Sequence, residues 1–122
     1  MNMLERNLNA LRRADRDSLA EAVLGASRHS DETVVTAKDG AMVNGLMRDA
    51  RPVLFHSRYS ARREAERLAA PAGAGDLAIV LGMGMAHHVA MVLARGATAY
   101  VIEPDLALLR STLEAVDLSD EL

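Results

Sequence analysis

An aliphatic run, Leu77 to Leu81, leads into Gly82-Met83-Gly84-Met85-Ala86 and then into a segment with helical spacing. A strand feeding a glycine loop and a helix start can hold an anionic or polar group, because the first N–H groups of a helix lack partners within it. Gly82 permits the sharp turn off the strand end, and Gly84 lets a ligand approach the backbone. A second apolar run, Ala99 to Ile102, ends at Glu103, 21 residues after Gly82. A carboxylate at that point can accept hydrogen bonds from two ribose hydroxyls. Gly82, Gly84 and Glu103 are therefore candidate ligand-binding residues. The same glycines could instead serve only a tight crossover in a sheet that holds no ligand.

The loop spacing discriminates between cofactors. A dinucleotide fingerprint needs glycine at position 87, where this chain has His87. Gly82-x-Gly84-x-Ala86 is closer to the loop of methyltransferases that bind S-adenosylmethionine, so a nucleotide or S-adenosylmethionine is the cofactor to consider and NAD is disfavoured. His87 and His88 lie about 100° apart on their helix, so both cannot face one small ligand. Neither has a ligating partner one turn away, and no metal site is expected. One of the pair should be exposed while the other packs or hydrogen-bonds near the loop. Met83 and Met85 could line an apolar wall or fill irregular core space.

A second cluster, His56-Ser57-Arg58, follows the apolar run Pro52–Phe55. A histidine beside a serine in sequence is not a catalytic triad, which needs a third orienting group, and no catalytic residue is assigned. The cluster reads either as a strand-to-helix corner, with Ser57 and Ser60 bonded to backbone and Tyr59 packed, or as an anion contact formed by His56, Ser57 and Arg58.

The elements that must position these residues follow from periodicity. Leu4, Leu8 and Leu11 share a helical face, and Leu19, Val23 and Leu24 resume it before Gly25, as one long helix or two short ones. The β-branched run Thr33–Thr36, the turn dipeptides Asp39-Gly40 and Asn44-Gly45, and Pro52–Phe55 predict a short antiparallel meander over 33–56. Ser60 caps a helix with Ala61, Ala65, Leu68 and Ala69 buried. From Leu77 the order is strand, loop, helix (85–95, with Val89, Val92 and Leu93 inward), strand, and a last helix from Asp105 with Leu106, Leu109 and Leu113 on one face. The expected fold is α/β, a small Rossmann-like βαβ unit preceded by an N-terminal helix and a β-meander. It is read as one domain, 1–122, with 1–25 helical, 33–56 the meander and 60–122 the αβαβα part.

Composition narrows the function classes. The chain has 122 residues, 50% hydrophobic, enough for one core, with one Phe, two Tyr and no Trp. So few rings cannot build a base-stacking platform, and a net charge of −3 gives no global pull toward nucleic acid or anionic membranes. No apolar run is long enough to span a bilayer, and the start lacks the apolar core of a signal peptide, so a cytoplasmic location is expected. The absence of cysteine removes disulfides, thiolate metal sites and cysteine nucleophiles. A sheet of so few strands leaves unpaired edges that a homodimer could cover.

Taken together, VLFHSRYSARREAERL (Val53–Leu68), VLGMGMAHHVAMVL and YVIEPDLALLRSTLEAVDLSDEL resemble, in the same order, the N-terminal domain of motility accessory factor proteins. Asn7-Leu8-x-Ala10-Leu11 and the KDG…NG segment add to the resemblance, which covers nearly the whole chain. These proteins are bacterial flagellin glycosyltransferases. Their larger second domain resembles sialyltransferases and is thought to transfer nonulosonic acids, such as pseudaminic or legionaminic acid, to serine and threonine of flagellin. Archaeal relatives pyrophosphorylate 6-hydroxymethyl-dihydropterin. The family loop carries glycine where Ala86 stands, and His88 matches its histidine. Ala86, His88 and, within the IEPD motif, Asp105 thereby join the candidate ligand-binding set. The resemblance implies a module that supports flagellin glycosylation, non-catalytic by itself, with flagellin or another glycosylation-pathway protein as partner. The alternative is a small nucleoside-ligand-binding domain similar to the first half of an S-adenosylmethionine-dependent methyltransferase.

Overall fold

The computed structural model describes all 122 residues, and it is mixed α/β with five helices and two small sheets. The chain forms two compact units. One is the continuous stretch Ser30–Glu103, and the other combines Met1–His29 with Pro104–Leu122.

The continuous unit opens with an antiparallel meander in the order β1 (Glu32–Thr36), β2 (Met42–Arg48), β3 (Arg51–Leu54). Val43 is fully buried and packs with Ala37 and Ala61, flanked by Val35, Ala41 and Leu54. Asn44-Gly45 does not turn. Both residues lie inside β2, where Gly45 pairs with Thr33 on one side and Leu54 on the other. A Cβ on Gly45 would collide with the Val53 carbonyl oxygen, so glycine is required there for close strand approach. The reversal falls at Asp49-Ala50, between the paired Arg48 and Arg51, and both turn residues are left-handed at φ 49° and 60°. That is the backbone of a two-residue I′ hairpin, which favours glycine at its second position. Ala50→Gly is accordingly expected to stabilise the protein by about 1 kcal/mol, measurable as a higher midpoint in urea.

Helix α3 (Ala61–Ala69) starts where Ser60 Oγ accepts the Arg63 N–H at 3.2 Å. Asp39 reinforces this start by accepting from the Arg62 N–H at 3.0 Å and from Ala41 N–H at 3.1 Å. These backbone donors hold its carboxyl below the usual range. Ala61, Ala65 and Ala69 form the buried stripe, and Leu68 is exposed rather than packed. Small side chains allow close helix approach, and α3 lies against α4 (His87–Ala94) through Ala69 and Val92. Strands β4 (Leu77–Leu81) and β5 (Thr98–Ile102) pair in parallel, Ile79 opposite Tyr100, with α4 as the crossover. Ala78 and Ala99 point from this pair into the cluster of Ala69, Val92 and Ala97. Arg95 fastens the connection by donating to Ala72 O at 2.6 Å and Ala70 O at 3.0 Å.

The second unit is helical: α1 (Met3–Arg13), α2 (Asp17–Gly25) and α5 (Leu106–Ala115). The N-terminal region is thus two helices. Asn2 and Glu5 form a capping box at the start of α1. Helix α2 buries Ala20 and Val23, whereas Leu19 and Leu24, expected inward, are exposed. Helix α5 likewise buries Leu108, Ser111, Thr112 and Leu113 and leaves Leu106 exposed. Val23 and Leu113 are buried as their spacing predicts, so each helix face is shifted by a residue or two rather than reversed. Asn7 is a wholly buried polar residue. Its amide donates to Leu113 O at 2.9 Å and Val116 O at 2.7 Å, and its oxygen accepts the Leu118 N–H at 2.9 Å. No helix of the structure is long and apolar enough to cross a membrane.

Candidate functional site

The glycine loop sits where β4 ends. Gly82, at φ 84°, keeps the sheet ladder for one more step by donating to Ile102 O at 2.9 Å. The chain then folds back so that Ala86 N–H reaches Met83 O at 2.8 Å, and α4 begins only at His87. The helix starts later than 85 because Ala86 is left-handed, φ 64°. Glycine takes that conformation without strain, which accounts for glycine at this position of the resembled loop. Met83, Met85 and Ala86 are all buried, so the methionines fill core space beneath the loop.

His56 is the unexpected neighbour. It is 5% exposed, and its Nε2 accepts the Met85 N–H at 2.8 Å. A Cβ on Gly84 would collide with that same nitrogen. The space that glycine opens at position 84 is therefore filled by an imidazole ring of the chain itself. Because Nε2 accepts, the proton of neutral His56 resides on Nδ1, which faces Glu64 Oε1 at 3.9 Å. Glu64 accepts the Ser57 N–H at 3.0 Å, so its carboxylate holds the backbone beside the ring.

The other two histidines close around this ring. His87 meets His56 edge-on with centroids 4.9 Å apart, and His88 is tilted against it at 5.5 Å. His88 Nε2 contacts Gly82 O at 2.9 Å and His87 Nε2 contacts Met42 O at 2.6 Å. Carbonyl oxygens only accept, so both Nε2 atoms carry hydrogen. His88 Nδ1 is then a buried acceptor without a partner. The three rings do not form a metal-holding group with other His, Cys, Asp or Glu side chains.

This crowding has an acid consequence. Burial, followed by the positive charge that His87 and His88 can carry, pushes His56 down from 6.5 to about 4. Between those values the unfolded chain binds a proton that the folded chain does not, so stability increases with pH. Stability should be intact above pH 6.5 and about 2 kcal/mol lower by pH 5, with the loss complete below pH 4. Urea titrations at pH 7 and pH 5 check this, and His56→Gln should flatten the difference.

The remaining candidates divide. Glu103 joins the loop, accepting the Met83 N–H at 3.3 Å. Asp105 belongs to the helical unit, where its Oδ1 caps α5 by accepting from Ala107 N–H at 3.0 Å and Leu108 N–H at 3.2 Å. Ser57 Oγ accepts from Tyr59 N–H at 3.2 Å and Ser60 N–H at 3.1 Å, making the corner that leads into α3. The Arg58 carbonyl accepts from Lys38 N–H, and the residue is exposed. Tyr59 is not packed but exposed, under the Lys38 ammonium at 4.7 Å. Of His56, Ser57 and Arg58, only His56 touches the loop. Sequence reasoning missed that link, which spans 29 positions; the only signal for it was a histidine at a strand end in a chain with four.

The loop thus has its donors engaged internally. The N–H groups of Gly82, Met83, Met85 and Ala86 bond to Ile102, Glu103, His56 and Met83, and the ribose-type carboxylate is one of those acceptors. No protein-family profile matches the sequence, and no curated protein is detectably similar to it. The fold does have a relative among solved structures. That relative is a region of a glycosyltransferase. The MAf glycosyltransferase from Magnetospirillum magneticum AMB-1 superposes with a TM-score of 0.70 at 13% identity, over 98% of this chain and 24% of that one. The similarity to MAf glycosyltransferase is one of fold, and the chain spans about a quarter of that protein's length.

Proposed function

We propose that this chain is a non-catalytic α/β module of the motility accessory factor type, which supports glycosylation of flagellin with nonulosonic acids through protein contacts. The observation that carries the reading is the self-satisfied loop. His56 occupies the approach to Gly84, and Glu103 and His56 take the N–H groups of Met83 and Met85. A phosphate or nucleoside would have to break those bonds to gain its own, which leaves little net free energy for binding. The fold shared with MAf glycosyltransferase over 98% of this chain supports the kinship, and the resembled motifs supply flagellin as the partner. Transfer chemistry belongs in this reading to a separate catalytic domain.

Two measurements test it. Calorimetry with S-adenosylmethionine and with cytidine and adenosine nucleotides at millimolar concentration is expected to show no saturable heat. Immobilised flagellin is expected to retain the purified chain, and albumin is not. Saturable nucleotide or S-adenosylmethionine binding that disappears in Glu103→Ala would establish the small-ligand alternative instead. Failure to bind flagellin would remove the partner.

A further inference from the structure

The β4–β5 pair is covered on one side only. Ala78, Val80 and Ala99 face α3 and α4, while Leu77, Ile79, Leu81, Tyr100 and Ile102 point the other way and are 65%, 67%, 77%, 59% and 49% exposed. The register places Ile79 beside Tyr100 and Leu81 beside Ile102, so these five side chains form one unbroken apolar surface. Thr98, opposite Leu77, completes the row, and no charged residue interrupts it. Parallel strands are found almost only where both faces are covered. Side chains of these types at these exposures present on the order of 600 Å² of apolar surface, the upper end of what a monomer leaves open.

We infer that this outer face of β4 and β5 joins two copies of the chain, face to face about a two-fold axis near Ile79 and Tyr100. Two such faces together remove about 1,200 Å², the lower limit of a specific, stable interface. A two-fold contact needs a surface complementary to itself, and a charge-free apolar face meets its own copy without like-charge repulsion. At this size the association is expected in the micromolar range. The inference stands apart from the glycosylation reading, because it uses neither the glycine loop nor flagellin.

Sedimentation velocity on the whole chain across a concentration series tests it, with a reversible monomer–dimer equilibrium expected. Ile79→Asp should weaken dimerisation at least tenfold while circular dichroism stays unchanged, since the replaced side chain is two-thirds exposed. Should that variant fail to fold, Tyr100→Lys gives the same reading from the neighbouring strand. The chain contains no cysteine, so Ile79→Cys provides a single-site probe. Mild oxidation should link it into disulfide dimers much faster than Glu66→Cys at an exposed position of α3. A wild-type monomer at all concentrations overturns the inference. So does a dimer indifferent to Ile79→Asp, equal cross-linking at the two cysteines, or protection of the face only by a different polypeptide.

Discussion

Gly84→Ala is expected to destabilise the protein by about 4 kcal/mol. Two costs add. An alanine at φ 52° carries the left-handed penalty of roughly 1–2 kcal/mol, and its methyl group would occupy the position of His56 Nε2. The imidazole is buried and cannot swing into solvent without opening the corner at Ser57, so it must release the Met85 N–H. An unsatisfied buried donor costs a further ~1–3 kcal/mol. The decisive measurement is a double-mutant cycle read by urea unfolding. In a His56→Ala background the penalty of Gly84→Ala should fall to the backbone contribution alone, roughly 1–2 kcal/mol. An equal penalty in both backgrounds would mean that the ring is not what requires glycine at 84.

Asn7→Ala is expected to cost a similar amount, about 4 kcal/mol, for a different reason. Asn7 is wholly buried on α1 and holds three backbone groups at the end of α5: two carbonyls, Leu113 and Val116, and the Leu118 N–H. The two carbonyls are groups that a helix C-terminus leaves unpaired, the N–H lies just beyond it, and one side chain satisfies all three. Truncation removes all three partners at once in a place water does not reach. Asn7→Asp separates hydrogen bonding from shape. It keeps the acceptor for Leu118 but replaces the donor with a carboxylate facing two carbonyl oxygens, so it should be at least as damaging as alanine. Asn7→Leu, of similar volume, should recover little. A loss below ~1 kcal/mol for Asn7→Ala would show that the three bonds contribute far less than their burial requires.

Much of the continuous unit was legible because its signals are local. An aliphatic run followed by glycines marks a strand and its crossover, and Ser60 three residues before Arg63 marks a helix start; both lie where expected. The meander was legible as a set of strands but not in its turns. Asn44-Gly45 satisfies every local rule for a hairpin, yet Gly45 answers instead to Val53 on the neighbouring strand. The true reversal, Asp49-Ala50, lacks the glycine that would announce it. Helix faces were legible in part: Val23, Ala61, Ala65, Ala69 and Leu113 are buried as their spacing predicts, whereas Leu19, Leu24, Leu68 and Leu106 on the same stripes are exposed. For the loop, the strand–glycine–helix order was readable and its occupant was not. The pairing of His56 with Gly84 depends on how the corner at Ser57 folds back, which no periodicity encodes.

The helical unit is built from both ends of the sequence, with the 74 residues of the other unit between its two parts. On a ribosome adding about 5–20 residues per second, α1 and α2 would wait roughly 4–15 s for α5 to emerge. During that interval Asn7 has none of its acceptors, and Leu8, Leu11 and Val23 lack the cover that α5 provides. The Ser30–Glu103 unit, complete in itself, can fold meanwhile. Synthesis therefore imposes an order that dilution from denaturant does not. Refolding of the full chain can bring α1 and α5 together at once, whereas the nascent chain must pass through a state in which its first two helices have only each other.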